Sequence, residues 1–286
     1  MAMSEVKYAK HLDWITATFH NREFPFLVLP THWQFDRTMQ VPSPKNYKIA
    51  YRLECGGLIA ISKDEKQGIL VMLPGEALEN LRNAGFSDQD TVAWLVGARN
   101  VSRADYAFNA LGGDAKDHNS HDAYNSYKAG GIKTRMKLDS SYKDEKVEFG
   151  GQSYYFGSVH SDQRVICYDK RVERGGGGVN WTRVEYRGRN DYSTALIHDM
   201  HKFGVEKAGD AKLMNVWDAD IEWFQQGLLE EKIELRKLPR QEPAFKSWLW
   251  ATVLPSLRKH IRSHRSVIED FYAAVGQILE DSALRD

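Results

Sequence analysis

The chain has 286 residues, 42% of them hydrophobic and 27% charged, and its 39 basic side chains balance 39 acidic ones. The composition is that of a globular protein with a sizeable core, and the balanced charge argues against a non-specific coat for polyanions. No apolar run approaches the roughly 20 residues of a membrane span, and the first residues lack a secretory signal, so we expect a cytoplasmic protein with no membrane partner. The two cysteines lack metal-type spacing, which excludes a cysteine-based zinc site.

The first part of the chain predicts strands with two short helices among them. Strands are expected where β-branched and aromatic residues concentrate, at residues 11–19, 49–62, 67–73 and 101–111, and Gly56-Gly57 interrupts the second of these. Residues 76–84 have helical spacing and are closed by Gly85. A second helix is expected after Ser87, because the acids Asp88 and Asp90 suit a helix N-terminus.

The second part begins with a polar, histidine-rich segment and ends in helices. Residues 114–127 predict a helix or a loop, and short strands are expected at 132–138 and 147–149. Clearer strands follow at residues 153–156, 164–171 and 180–189. Beyond about residue 191 the spacing turns helical, at residues 195–203, 218–226, 245–263 and 267–279, with a break at Pro255.

This order of elements indicates an α+β protein with a largely antiparallel central sheet flanked by helices. We divide it into a domain of residues 1–191 and a helical C-terminal region of residues 192–286. The C-terminal region carries a basic segment at residues 236–265, in which only Glu242 is acidic. Its cations are Arg236, Lys237, Arg240, Lys246, Arg258, Lys259, Arg262 and Arg265. Such a patch indicates either nucleic-acid binding or a solvated helix face.

Two predicted strands share an arginine and a carboxylate two residues apart. Arg103 precedes Asp105 in this way, and Arg183 precedes Glu185. Side chains at that spacing project from the same face of a strand. Carboxylate oxygens suit Mg²⁺ or Mn²⁺ and arginine forks suit phosphate oxygens, so the two pairs fit a metal-assisted phosphate site. Salt bridges on a strand surface are the alternative.

A third strand brings a tyrosine to this set. The segment RVICYDKR at residues 164–171 places Arg164, Ile166, Tyr168 and Lys170 on one face, and a glycine-rich loop leads from it into the strand of Arg183. If the hairpin turns between its first two glycines, Tyr168 lies opposite Arg183 and Ile166 opposite Glu185. A slip of one residue would send the two sets to opposite faces. Packing of Tyr168 in the core is the other interpretation.

A tyrosine hydroxyl has a pKa near 10 and is a weak nucleophile at neutral pH. A metal ion and cationic side chains nearby would stabilise the phenolate and the charge that builds on a phosphate during displacement. A phosphotyrosine link keeps the energy of the phosphodiester, so a cut nucleic-acid strand can be resealed without an external energy source. Aromatic residues beside the site, such as Tyr154 or Tyr155, would pack or stack on a base.

Four segments in order carry a family resemblance: DWITATF, SRADYAFN, SYYFGSVHSDQRVICYDK and WTRVEYRGR. Over residues 13–189 the chain resembles the replication initiation factor family (Rep_trans type) of rolling-circle plasmids, phages and integrative elements. The resemblance implies an enzyme that nicks and rejoins one DNA strand at an origin through a 5′-phosphotyrosine, leaving a 3′-hydroxyl primer. The chain departs from the family pattern at Asn109, where a second acid is usual, and at Val159-His160, where a basic residue is usual.

The resemblance assigns roles to individual residues. Tyr168 is expected to be the nucleophile, Lys170 and Arg183 its catalytic neighbours, and Asp105 and Glu185 the ligands of Mg²⁺ or Mn²⁺. The residues expected to contact DNA or its phosphates are Arg103, Arg164, Arg187, Arg258, Lys259 and Arg262.

The expected partners are origin DNA with a single-stranded or hairpin nick site, a host replicative helicase and a second copy of the chain as a homodimer. Residues 1–191 would then be the nicking domain, and residues 192–286 would serve DNA binding or oligomerisation. The chief alternative is a sequence-specific DNA-binding regulator on the same scaffold that does not cleave. A hydrolase that uses Asp105 and Glu185 on another phosphate ester is a third possibility.

Overall fold

The computed structural model describes residues 5–20, 35–62, 64, 67–114, 116–144, 151–173, 178–229 and 233–236. The strand predicted at 147–149, the helices predicted at 245–263 and 267–279, and Arg258, Lys259 and Arg262 lie outside these residues. The chain divides into two units, Met1–Lys237 and Leu238–Asp286, and all described residues belong to the first. The functional boundary expected at residue 191 stays a prediction.

An antiparallel ten-stranded sheet forms the centre of the described part of the chain, as the α+β prediction requires. Its strands are β1 (Lys7–Phe19), β2 (Phe35–Val41), β3 (Ile49–Leu53), β4 (Leu58–Ile61), β5 (Ile69–Pro74), β6 (Asn100–Leu111), β8 (Leu138–Asp144), β9 (Gly151–Phe156), β10 (Gln163–Asp169) and β11 (Trp181–Arg189). They follow the order β2-β3-β4-β5-β1-β6-β11-β10-β9-β8. The short strands β7 (Ile132–Lys133) and β12 (Asp218–Ala219) pair separately.

Helices flank this sheet and bury one of its faces. They are α1 (Gly75–Asn83), α2 (Asp88–Leu95), α3 (His121–Lys128), α4 (Lys170–Glu173), α5 (Asp191–Phe203), α6 (Val205–Val216) and α7 (Glu222–Gly227). No helix in the described ranges is long and apolar enough to cross a membrane. Ser87 and Asp90 form a capping box at the start of α2, where the sequence predicted a helix N-terminus.

Strand alternation explains why the central strands have one apolar and one polar face. In β6, Tyr106 and Phe108 are fully buried on the helix side, where Phe108 packs edge-on against Phe224 of α7. The Tyr106 hydroxyl donates to Asp210 of α6 at 2.8 Å. Asp105 and Asn109, at the alternate positions of the same strand, must therefore project from the opposite face.

The hairpin register predicted from the sequence is confirmed. Strands β10 and β11 pair with Tyr168 opposite Arg183 and Ile166 opposite Glu185. The extent predicted for the first strand of this hairpin, residues 164–171, is wrong, because β10 ends at Asp169 and Lys170 begins the helical turn α4. The position of Lys170 is therefore set by that turn rather than by strand alternation.

One further local prediction needs correction. The helix predicted at 218–226 begins late, because Asp218 and Ala219 pair with β7 before α7 begins at Glu222. The interruption predicted at Gly56-Gly57 within residues 49–62 is confirmed as the turn of a hairpin, β3 and β4, with Gly56 at φ 93°. A positive φ of this size strains any residue with a Cβ, so the glycine pair was the signal of a turn.

Candidate active site

The polar face of the sheet gathers charged side chains from neighbouring central strands. Registers place Arg183 opposite Asn109, and Arg187 opposite both Asp105 and Arg164. Because directly opposed residues share a face, the side chains of β1, β6, β11 and β10 meet there. The group consists of His11, Asp13, Arg103, Asp105, Asn109, Arg164, Tyr168, Arg183, Glu185 and Arg187.

Tyr168 lies at the centre of this face and is nearly covered, with 8% of its surface exposed. Its hydroxyl donates to Oε2 of Glu185 at 3.2 Å and is hydrogen-bonded to the Arg183 guanidinium. Lys170 Nζ lies 5.7 Å from the centroid of the Tyr168 ring. The phenol oxygen thus contacts a carboxylate and a guanidinium, while the Lys170 ammonium lies near the ring. The positions of Arg183 and Glu185 beside Tyr168 are those that the hairpin argument predicted.

Arg183 is held in place by three other side chains of the polar face. Its Nε donates to Asn109 Oδ1 at 2.7 Å, its Nη1 donates to Asp13 Oδ1 at 2.7 Å, and its Nη2 lies 3.3 Å from His11 Nε2. Burial opposes the charged form of Arg183. The negative charge of Asp13 and, to a smaller extent, Tyr168 and Glu185 raise its pKa nevertheless. The guanidinium next to the phenol is therefore permanently charged and fixed in orientation.

Asp13 reaches this site because β1 contains a bulge. The register against β6 shifts between Leu12 and Trp14, so Asp13 is the extra residue on β1. Burial acts to raise the pKa of Asp13, but the hydrogen bond with His11 and the charge of Arg183 hold that pKa well below its ordinary value. Sequence reasoning missed Asp13 and His11 as site residues, although the Asp-Trp pair of the first motif was the available signal.

Asn109, one of the two positions at which the sequence departs from the family it resembles, has a defined position. Its Oδ1 accepts from both Arg183 Nε and Trp181 Nε1, at 2.7 and 2.8 Å, while its Nδ2 donates to the Ala9 carbonyl at 2.9 Å. An amide can accept and donate at once, whereas a carboxylate only accepts. Asn109 therefore ties Arg183 to the β1 backbone.

Arg187 joins the two carboxylates that the sequence analysis singled out. Its Nε donates to Asp105 Oδ2 at 3.1 Å and its Nη2 donates to Glu185 Oε1 at 2.8 Å. Arg103 binds the same Asp105 carboxylate through Nε, at 3.1 and 3.0 Å, and through Nη2. Burial and the nearby charge of Glu185 nevertheless raise the pKa of Asp105 to about 7.

This arrangement does not fit a divalent cation held between Asp105 and Glu185. The guanidinium of Arg187 occupies the position that a bridging cation would need, and a fixed positive charge opposes a second one nearby. The described residues also contain no cluster of three or more His, Cys, Asp or Glu side chains arranged to hold a metal. The predicted role of these two acids as ligands of Mg²⁺ or Mn²⁺ stays a prediction.

Two of the predicted DNA-contacting arginines stack on aromatic rings at the margins of the polar face. The Arg103 guanidinium lies 4.3 Å from the centroid of a Trp14 ring, and that of Arg164 lies 4.5 Å from the Tyr155 ring. Both rings are partly exposed. Planar cations backed by aromatic rings are suited to phosphates and to the faces of bases.

His118, His121 and His160 lie away from Tyr168. His118 is buried between the Thr182 hydroxyl and the Gly112 carbonyl, each at 2.9 Å, and His121 Nδ1 lies 2.6 Å from the Tyr154 hydroxyl. His160 is exposed in the turn before β10. The two former residues therefore have structural partners.

Comparison with known proteins shows a shared fold. No family model and no curated protein matches the sequence. The structure is similar to that of a rolling-circle replication initiator protein from Geobacillus stearothermophilus, with a TM-score of 0.55 and 18% sequence identity. The match covers 85% of this chain and 92% of that protein. At this level of identity, the likeness establishes an initiator-like fold for the described sheet and helices.

Proposed function

We propose that this protein is a rolling-circle replication initiator that nicks and rejoins one DNA strand, with Tyr168 as the nucleophile. The observation that carries the proposal is the position of the Tyr168 hydroxyl between the Glu185 carboxylate and the Arg183 guanidinium. The motifs that resemble this family and the similarity to the Geobacillus initiator both support it. The substrate is origin DNA whose nick site is single-stranded or exposed in a hairpin.

The proposed reaction is a transesterification that conserves phosphodiester bonds. The phenol oxygen of Tyr168 attacks the scissile phosphorus, the bond to the 3′ oxygen breaks, and a 5′-phosphotyrosine and a free 3′-hydroxyl result. Glu185 accepts the hydrogen bond from the phenol and is positioned to take its proton. The leaving 3′ oxygen gains a proton, for which Lys170 is the nearby donor. Attack of the 3′-hydroxyl on the phosphotyrosine reverses these steps and rejoins the strand.

Arg183 is the main electrostatic element of the proposal. Its fixed positive charge stabilises the phenolate and the negative charge that builds on the phosphate in the transition state. Asp13, His11 and Asn109 hold its position and act as positioning residues.

The remaining DNA contacts and partners follow from the sequence. Phosphate contacts are assigned to Arg103, Arg164, Arg187, Arg258, Lys259 and Arg262, while a replicative helicase and a second copy of the chain are proposed partners. Phosphate contacts would give affinity and base contacts specificity. A requirement for Mg²⁺ or Mn²⁺ is proposed from the resemblance alone, and parallel reactions with and without EDTA test it.

The decisive experiment uses a supercoiled plasmid that carries this gene with its flanking DNA. Incubation with the purified protein and Mg²⁺ or Mn²⁺ is expected to give nicked circles and a covalent protein–DNA adduct, and Tyr168→Phe is expected to give neither. The matched control is Tyr186→Phe, which also removes one hydroxyl but lies on the helix side of β11 and, among the described residues, loses a bond to Gln163.

Three other outcomes would contradict the proposal. Binding without cleavage identifies the non-cleaving regulator, and nicking without an adduct identifies a hydrolytic mechanism. An adduct that persists in Tyr168→Phe and disappears in Tyr186→Phe would identify Tyr186, and not Tyr168, as the nucleophile.

A further inference from the structure

Three arginines crowd one end of the β10–β11 hairpin on the polar face. Arg164 lies directly opposite Arg187, and Arg189 follows on the same side of β11. Arg189 is held by its backbone N–H, which donates to the Asp162 carbonyl at 2.8 Å, and by its Nη1, which donates to the Val159 carbonyl at 3.0 Å. Like charges brought together by strand pairing repel one another. Asp105 and Glu185 offset part of this charge through Arg187, and an anion bound beside Arg164 would offset part of what remains.

Arg164 is nearly buried and only weakly compensated. Only 12% of its side chain is exposed, and its buried Nε has no hydrogen-bond partner among the described residues. Its acidic neighbour, Asp139, is 40% exposed and lies 3.5 Å from Nη2. Burial is the main factor that lowers the pKa of Arg164, and the charges of Arg187 and Arg189 lower it further against the opposing effect of Asp139.

The geometry around Arg164 is preorganised for an acceptor with two adjacent oxygens. The Tyr155 ring lies 4.5 Å from the guanidinium carbon and so fixes the plane of the fork. A guanidinium held in this way can donate two parallel bonds to phosphate oxygens with little further loss of side-chain entropy. A buried donor without a partner, two adjacent cations and a fixed plane together define an anion site.

We propose that Arg164, Arg187 and Arg189 form a second phosphate-binding site, which holds a phosphodiester of the DNA strand away from the one that Tyr168 attacks. The inference rests on the proposed function for the identity of the strand. Tyr168 and Arg164 are four residues apart on one strand, so the two phosphate positions are separated by about 13 Å. A single strand that crosses the hairpin between these points is fixed in register, which determines the phosphate that meets the nucleophile.

The test measures binding of a fluorescent oligothymidylate of about 16 nucleotides over a range of NaCl concentrations. The slope of log K against log[salt] is negative, and Arg164→Gln is expected to lower its magnitude by about 0.7, the value for one lost phosphate contact on a single strand. Its affinity at low salt is expected to fall about tenfold. The matched control is Arg52→Gln, which removes the same charge from an exposed position on β3 of the same sheet.

Three results would overturn the inference. One is a slope for Arg164→Gln equal to that of Arg52→Gln, in protein whose urea unfolding is unchanged. Another is thermal stabilisation of the wild type by millimolar inorganic phosphate without any effect of Arg164→Gln on oligonucleotide binding, since this identifies a free-phosphate site. The third is a fall in affinity with no change in slope, which indicates a structural role for Arg164.

The inference and the proposed function fail in different ways. If Tyr168→Phe loses the covalent adduct while Arg164→Gln keeps the wild-type slope, the nicking reaction stands and the second phosphate site is wrong. If the wild type forms no adduct while Arg164→Gln lowers the magnitude of the slope, the phosphate site stands on a protein that does not cleave.

Discussion

Removal of Arg187 is the sharpest test of the charge network on the polar face. In Arg187→Gln, Asp105 and Glu185 lose the guanidinium that binds both of them, at 3.1 and 2.8 Å. The side chains of these two acids are only 1% and 5% exposed, so water cannot replace the lost bonds. Glutamine keeps polar atoms and much of the volume but supplies no charge.

The expected cost follows from what remains around each carboxylate. Asp105 keeps Arg103, while Glu185 keeps the phenol of Tyr168 as its described hydrogen-bond donor. Charged hydrogen bonds contribute roughly 1.5–3 kcal/mol each, and breaking a buried ion pair costs about 3–5 kcal/mol. Arg187 is itself 22% exposed, which reduces its contribution, and we expect a loss of about 3 kcal/mol in the free energy of unfolding.

Urea unfolding followed by tryptophan fluorescence and circular dichroism measures this loss. Arg52→Gln, an exposed change of the same type, is expected to shift stability by less than about 0.5 kcal/mol. The double variant Arg187→Gln/Glu185→Gln is expected to recover about 1–2 kcal/mol relative to the sum of the single variants, because no unpaired glutamate remains. A cost for Arg187→Gln no greater than that of the control, or strict additivity in the double variant, would refute the reasoning.

Two further predictions concern the buried side of the sheet. His118 is buried with a lowered pKa, because burial disfavours its charged form, so its contribution to stability is complete above pH ~6.5 and is lost as the pH falls below that value. Between pH 7.5 and 5, the free energy of unfolding is thus expected to fall less in His118→Gln than in the wild type. Urea titrations at both pH values measure this, and an equal fall in the two proteins would contradict the prediction. Gly209→Ala would place a Cβ 2.3 Å from the ring of Tyr106, so we expect a loss of about 1–3 kcal/mol instead of the gain usual for alanine in a helix, measured as a lower Tm. An unchanged or higher Tm would mean that the helix can move away from the ring.

Local pattern was sufficient to predict the hairpin that carries Tyr168. Alternation has a period of two, and a turn assumed between the first two glycines of the loop placed Tyr168 opposite Arg183. A slip of one residue stayed open in the sequence, and the paired strands decided the register. The same reasoning failed at Lys170, because a strand pattern does not reveal where a strand gives way to a helical turn. Lys170 still lies near the phenol, but for a reason that the sequence did not show.

Contacts between strands distant in sequence were decided only by the tertiary structure. The sequence alone determined an α+β chain with Arg-x-acid strands and a tyrosine hairpin on a common face. It did not determine that a bulge in β1 would deliver Asp13 to Arg183, 170 residues away, or that Arg187 would lie between Asp105 and Glu185. Such contacts depend on which strands become neighbours, and that order is set by burial of the apolar face against the helices as a whole rather than by any local motif.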